Sequence, residues 1–446
     1  MESPRSDDRS ALISRAVKIE SPAFRAAYEA LSGRRFVWAT PDGSMMLGGG
    51  AAATVTATGS GRFSEVKTAA ESLFASSDVR VETETAVPRL FGGFAFHAAS
   101  GEKSQWDGFP DAEFVLPDVQ LTYSDNTTWL TVNATGLDAT VSGVEDRLRA
   151  ERDRLAGLVA EAAPDRPGIG SIDRTTDRAA WRETVSEATS RISAGELDKV
   201  VLAQSLDADL NRETDVATTL ERLRRRYPDC YVFCADPIRT DATFVGATPE
   251  RLVSARGRSV ETSALAGTTG RGETPAEDEW LAAELREDEK NRHEHELVVK
   301  AIQRQVAPFA ASVSTGDLDI RRLATVQHLQ TPISVDLSSE EHVLTLAEAL
   351  HPTPAVGGLP PEAALATIRE TESFDRGWYA APIGCIDAAG GGDFAVALRS
   401  ALLTPQNATL FAGVGIVADS DPAREWNEIE LKYRPILDAL DSASPN

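Results

Sequence analysis

One stretch near the C-terminus constrains the fold more than any other: Phe411-Ala-Gly-Val-Gly-Ile-Val-Ala-Asp-Ser-Asp-Pro-Ala-Arg-Glu-Trp-Asn-Glu-Ile-Glu-Leu-Lys432. It reads as a strand, a glycine-bearing turn and a helix. Gly413 and Gly415 let the backbone approach a ligand closely. Asp419, Ser420 or Asp421 can cap the helix, with Pro422 in its first turn. Trp426, Ile429, Tyr433, Ile436 and Leu440 recur at helical spacing and mark a buried stripe. Glu425, Glu428 and Lys432 form a second stripe, roughly 90° round the helix at about 100° per residue. Two carboxylates and an ammonium therefore run along the edge of a buried face. Such a row is either a solvated face with i,i+4 pairing or one wall of a site, and the rest of the chain has to decide.

With 446 residues the chain can bury a core large enough for that helix to pack on. A formal charge of −24 argues against nucleic acid and anionic membranes as partners. No apolar run approaches transmembrane length, and Met1-Glu-Ser-Pro-Arg-Ser-Asp-Asp lacks the regions of a signal peptide. A cytoplasmic protein is expected. Cys230, Cys234 and Cys385 have neither CxxC nor zinc spacing and read as reduced core thiols. Only Lys18, Lys67, Lys103, Lys199, Lys290, Lys300 and Lys432 are lysines among 45 basic residues. An acidic, lysine-poor surface suits high salt, where screening removes self-repulsion, or a merely acidic, GC-rich proteome. Either way each lysine is informative.

Residues 1 to about 165 are expected to hold a helical start and glycine-punctuated strands at Met45–Thr58, Arg89–His97 and Phe114–Val132. Asp125-Asn126 is a turn, and a helix follows over Val144–Ala163. Ala163-Pro-Asp-Arg-Pro-Gly-Ile-Gly-Ser171 is the linker candidate. Beyond it the pattern predicts helices at Arg178–Ala194 and Ala217–Arg226, strands at Lys199–Ala208 and Tyr231–Ala235, and further strands to about Leu265. A long helix over Pro275–Ala307 comes next. Many strands with scattered helices indicate α+β rather than an alternating parallel sheet.

Several segments could carry chemistry. In the long helix, Glu294 falls beside the buried stripe of Leu297, Val298 and Ile302. A glutamate there must be protonated, paired or bound to a cation. Lys290, four residues earlier, is one candidate partner. A hard cation bridging Glu294 to Glu425 or Glu428 is another, and Mg2+ suits a site that keeps waters and a ligand carboxylate. His293 and His295 cannot face one ligand together, so zinc is not expected. In Leu197-Asp-Lys-Val-Val-Leu-Ala-Gln204, Lys199, Val201 and Ala203 share one face of a strand. Lys199 either snorkels from the strand's start or points into a cleft, where desolvation would make it a general base. Phe244-Val-Gly-Ala-Thr-Pro-Glu-Arg-Leu252 places Glu250 in a turn, an ordinary setting for a glutamate. Ser263-Ala-Leu-Ala-Gly-Thr-Thr-Gly-Arg-Gly272 could wrap an anion but has no nucleotide P-loop signature. Arg376–Asp387 and Phe394–Ala401 read as a hairpin turning over Ala388–Gly392. Tyr379 and Arg399 are its polar outliers, and Arg399 wants a carboxylate partner.

Taken in order, KVVLAQ, GATPE, the ALAGT loop, the K-x-x-x-E-H helix, LHPTPAVGG, RGWYAAPIG, VALRSA and GVGIV…SDP…E-x-x-E-x-x-x-K resemble the chorismate-utilising enzymes over about residues 175–440. Leu90-Phe-Gly-Gly-Phe-Ala-Phe96 resembles their N-terminal half. The resemblance implies the fold of anthranilate and isochorismate synthases: an α+β, two-layered sandwich with antiparallel sheets flanked by helices. Residues 1–165 would be one half and 175–440 the chorismate-binding region, together one globular unit. Lys199 matches the lysine with which isochorismate and salicylate synthases activate water. The DLxRND stretch of anthranilate synthases is replaced by Val298-Val-Lys-Ala-Ile-Gln-Arg304, and Ala266 stands where aminodeoxychorismate synthases carry a nucleophilic lysine.

What the resemblance implies is an isochorismate synthase. Lys199 is its base and Glu250 its acid. Mg2+ is held by Glu294 and Glu428, with Glu425 close by. Tyr379, Arg399, the backbone of Gly413–Gly415 and Lys432 would hold the enolpyruvyl carboxylate of chorismate, with His328 on the pyruvyl side and Gly267 and Thr268 on the hydroxyl side. A monomer or dimer is expected. The alternatives are a salicylate synthase, which adds loss of pyruvate, and a non-catalytic chorismate-binding subunit serving an amidotransferase. Menaquinone and siderophore pathways both remain open.

Overall fold

In the computed structural model, residues 12–98, 105–137, 139–159, 161–237 and 240–441 are described. Among them the strands form one sheet of thirteen and one of ten, almost entirely antiparallel. The order in the larger sheet brings Lys199–Leu210, Asn407–Ile416, Ser400–Leu403, Thr243–Thr248 and Tyr231–Ala235 side by side, then continues into Arg35–Ala39 and Met45–Gly49. The smaller joins Ser259–Gly270, Arg251–Arg256, Gly392–Val396 and Pro382–Asp387 to Arg89–Phe94. Both sheets thus run through early and late parts of the chain. Arg62–Ala75, Glu289–Val306 and Val343–Leu350 pack on the smaller sheet or on one another, and Val216–Arg226 and Pro422–Leu440 on the larger. The α+β sandwich expected from the sequence is the fold observed.

The segments that read as single strands are broken where the chain passes from one sheet to the other. Met45–Gly49 belongs to the larger sheet and Ala53–Ala57 to the smaller, with Gly50 at φ 74° between them. Ala112–Leu116 and Val119–Ser124 divide in the same way around Pro117. Phe394–Ala401 is likewise two strands, Gly392–Val396 and Ser400–Leu403, in different sheets. An apolar run buried on both faces looks continuous in sequence whichever sheet each half joins.

Other boundaries also move. The chain's first described element is the strand Ile13–Ile19, paired with Thr127–Ala134, not a helix. The Val144–Ala163 helix lies at Val141–Ala156, capped by Thr140. The linker ends sooner, because Ile169–Arg174 pairs with Lys199–Leu210. The expected long helix is two, Pro275–Glu287 and Glu289–Val306, divided at Asp288. That residue takes extended ψ (120°), and its side chain accepts from Asn291 N to cap the second helix. The Asp125-Asn126 turn is as expected, both residues having positive φ.

The apolar stripe of Pro422–Leu440 is realised in full. Trp426, Ile429, Tyr433, Ile436 and Leu440 are all buried, worth about 1.5–3 kcal/mol for each large side chain. Tyr433 Oη also donates to Gln204 O at 3.0 Å, fastening the helix to the strand that begins at Lys199.

Candidate active site

Lys199–Leu210 pairs antiparallel with Asn407–Ile416, setting Val201 against Gly415 and Ala203 against Gly413. Both glycines are therefore in the strand, not in the turn the sequence suggested; Asp421 caps the helix after that turn. What they supply is room. A Cβ at Gly415 would collide with Glu294 Oε1 and stand 2.9 Å from Lys199 Cε, and one at Gly413 would stand 3.0 Å from Tyr379 Oη. The glycine face opens on a cavity. Every residue to which the resemblance gives a catalytic, substrate or metal role lines it except Lys199 and Glu425. Lys199 reaches the lining at Gly415, where that added Cβ would be 3.2 Å from Nζ.

One wall carries three ion pairs. Lys199 Nζ lies 2.8 Å from Glu294 Oε1, Lys290 Nζ 2.8 Å from Glu425 Oε1, and Lys432 Nζ 2.7 Å from Glu428 Oε1. Lys432 Nζ also donates to Gly413 O at 2.8 Å. Lys290 is thus not Glu294's partner. It sits in the first turn of its helix and reaches across to the first turn of the C-terminal one, which leaves Glu294 to Lys199 from the neighbouring sheet. The Lys199 side chain is only 1% exposed. Burial pushes Glu294 up, but Lys199, Lys290 and Lys432 outweigh it and hold the carboxyl below its ordinary pKa. Glu425 is raised by burial and by Glu428 beside it.

Among the described residues no three His, Cys, Asp or Glu side chains stand together as a ready metal site. The three glutamates nonetheless all act on the Lys290 ammonium, although only Glu425 is in contact with it. Burial opposes the Lys290 ammonium, yet Glu425, Glu294 and Glu428 together keep its pKa above the ordinary lysine value. An all-carboxylate donor set around a position that favours positive charge fits a hard, oxygen-seeking cation.

The other wall is built where the chain crosses between sheets. Thr243–Thr248 belongs to the larger sheet and Arg251–Arg256 to the smaller, and Pro249-Glu250 is the crossing. Glu250 is 4% exposed. Burial pushes its carboxyl up to about 7, with Lys199 and Thr353 pulling the other way. Thr353 Oγ1 donates to Glu250 Oε1 at 3.4 Å. Arg399 sits on the second crossing, at φ 49°.

Among the described residues no carboxylate pairs with Arg399 as expected; Arg399 Nη2 donates to His328 Nε2 at 2.6 Å. With Nε2 accepting, the imidazole carries its proton on Nδ1, which faces Thr268 Oγ1 at 3.1 Å and Gly267 O at 3.3 Å. Burial, then Arg399 and Lys432, hold His328 well below the usual histidine range. Arg399 Nη1 is buried and has no hydrogen-bond partner among the described residues. A buried guanidinium with a free donor and no acid is a receptor for an anion. Tyr379 completes this side, its ring 5.5 Å from that of Phe411.

Sequence reasoning missed two participants. Thr353 lies in the LHPTPAVGG block without a role assigned to it, and its spacing from Glu250 gives no hint of contact. Arg376 heads RGWYAAPIG and is buried against Glu372, four residues before it. Both residues lie beyond the helix Pro361–Thr371, Glu372 being its C-cap at ψ 131°, so helical spacing gave no signal for the pair.

A cavity lined by carboxylates and a guanidinium with a free donor belongs to a protein that takes up an anionic small molecule. The family profile described as chorismate binding enzyme matches residues 1–441, and the chain belongs to that family. It is 36% identical over 449 residues to isochorismate synthase MenF of Bacillus subtilis, covering 96% of this chain and 93% of that one. The salicylate biosynthesis isochorismate synthase of Pseudomonas aeruginosa is 40% identical over 361 residues, 79% of this chain and 74% of the relative. Among solved structures, MenF, the menaquinone-specific isochorismate synthase of Escherichia coli, superposes with a TM-score of 0.80 at 26% identity, covering 98% and 97% of the two chains. Among the described residues no helix is long and apolar enough to cross a membrane.

Proposed function

We propose that this enzyme is an isochorismate synthase, moving the hydroxyl of chorismate from C4 to C2. The observation that carries the reading is the pairing of Lys199, buried at the glycine face, with Glu250, a buried carboxyl pushed up to about 7. A hydroxyl departs as water only if it is given a proton, and a carboxyl with a pKa near the working pH is suited to give one. Lys199 Nζ takes a proton from the water that attacks C2, while Glu250 protonates the hydroxyl leaving C4 from the other face of the ring. One water enters and one leaves, so the reaction is an isomerisation. Lys199 is ion-paired to Glu294 here, and it can serve as the base only once that pair has opened.

Glu294 and Glu428, with Glu425 behind them, would hold Mg2+, which when bound offsets the charge of the ring carboxylate. Arg399 Nη1, Tyr379 Oη, Lys432 and the backbone at Gly413–Gly415 hold the enolpyruvyl carboxylate, and His328 keeps Arg399 aimed at it. Gly267 and Thr268 line the hydroxyl side. Removing a general base costs about 10²–10⁴-fold in rate, so Lys199→Ala is expected to lose at least that much while still binding chorismate. A Lys199→Ala enzyme with full activity would remove the named base.

A further inference from the structure

One edge of Lys199–Leu210 is covered by Asn407–Ile416, but its other edge lacks a continuous neighbour. Gly358–Leu359 pairs there only at Lys199 and Val200, and Ile169–Arg174 only from Leu206 to Leu210. Buried backbone groups between those points would be costly if left unpaired. Other groups take the place of a strand. Val201 N donates to Gly357 O at 2.9 Å. Arg376 Nη2 donates to Val201 O at 2.8 Å, and Ala203 N donates to Glu372 Oε1 at 2.8 Å.

The two side chains are bound to each other, Arg376 Nε donating to Glu372 Oε2 at 2.8 Å. Arg376 Nη1 donates to Val356 O at 2.8 Å, in the segment that also bears Thr353. The guanidinium lies 4.4 Å from the centre of the Phe96 ring. Although Arg376 borders the cavity, its charge is met by Glu372 and its donors are committed to protein. Arg399, with no acid and a free Nη1, is the opposite case. One arginine is built to receive an anion and the other to hold backbone.

We propose that Arg376, braced by Glu372, is a positioning residue for the reaction assigned above: it ties the strand bearing Lys199 to the Thr353–Val356 segment that touches Glu250, and so fixes base and acid relative to each other. The proposal rests on that reading of the reaction. Lysine at 376 cannot reach Val201 O, Val356 O and Glu372 at once. Arg376→Lys is therefore expected to lower kcat by roughly tenfold or more, a small displacement of reacting groups being enough for that, with KM held within about threefold. Amide exchange should rise over residues 200–205 and 353–358 and stay unchanged in Tyr231–Ala235.

Kcat kept within twofold would reduce the pair to a structural brace, and a rise in KM with kcat retained would make it a binding element; either overturns the proposal. If Arg376→Lys does not fold, Glu372→Gln keeps an acceptor for Ala203 N while removing the charge, and the same split is expected. The unmodified protein runs in the same assay, so its failure to make isochorismate would count against the reaction alone. Unchanged exchange over 200–205 would sink the positioning role whatever the reaction.

Discussion

The two walls of the cavity solve opposite problems. On the wall of Glu294, Glu425 and Glu428 each carboxylate already has a lysine within 2.8 Å. On the other, Glu250 has only a long hydrogen bond from Thr353, and Arg399 leans on a neutral imidazole with Nη1 unsatisfied. Buried ions without partners are expensive, and proteins that keep them usually do so where a ligand or a proton completes them. The difference separates a wall whose charges are balanced before substrate arrives from one that substrate and proton must complete.

The sharpest way to break the comparison is Glu250→Gln. If Glu250 is the acid, kcat of the unmodified enzyme falls as pH rises through about 7, and the variant loses about 10²–10⁴-fold in rate together with that alkaline limb. The variant's stability should move the other way from its rate. A carboxyl whose folded pKa lies above its unfolded value contributes stability at low pH and loses it as pH rises from 4.5 through about 7. Above that range the ionised carboxylate costs on the order of 3 kcal/mol. Glu250→Gln should therefore resist denaturant better than the parent at pH 8 and equally at pH 4.5. A destabilised variant at pH 8 would contradict the unpaired character of this wall.

Arg399→Leu comes next. Loss of a charge-assisted contact predicts a rise in KM of about 10–100-fold, with the unliganded protein no less stable, since a buried unmatched charge has been removed. A large fall in unliganded stability would mean that Arg399 serves the fold. The smallest effect is expected from Glu425→Gln, which frees Lys290 but leaves Glu294 and Glu428 in place. If Glu425 helps to hold Mg2+ as proposed, the Mg2+ concentration for half-maximal activity should rise by about tenfold with kcat little changed, whereas an unaltered Mg2+ response would take Glu425 out of the proposed Mg2+ set.

The alternation of Lys199, Val201 and Ala203, and the row of Glu425, Glu428 and Lys432, were legible because spacing of two and of three to four residues states which side chains share a face. That row proved to be both things at once, an i,i+4 pair at Glu428–Lys432 and a lining of the cavity. Partners were not legible. Lys199 meets Glu294 and Arg399 meets His328 across wide sequence separations, whereas local spacing offers Lys290 as one candidate partner for Glu294 and an apolar strand only asks for an acid beside Arg399. The sheet crossings at Glu250 and Arg399 were hidden for a related reason: apolar runs show burial, but not the sheet that does the burying. The glycines at 413 and 415 looked like turn residues because what requires them, the Lys199–Glu294 pair and Tyr379 Oη, lies outside their own segment.

The most direct test is turnover of chorismate by the purified protein with Mg2+ and without ammonia, resolving the products by chromatography. Isochorismate with no pyruvate is the expected result. Salicylate with equimolar pyruvate would show a lyase step beyond the one proposed, and turnover only after ammonia or a glutaminase is added would contradict Lys199 as the base that activates water.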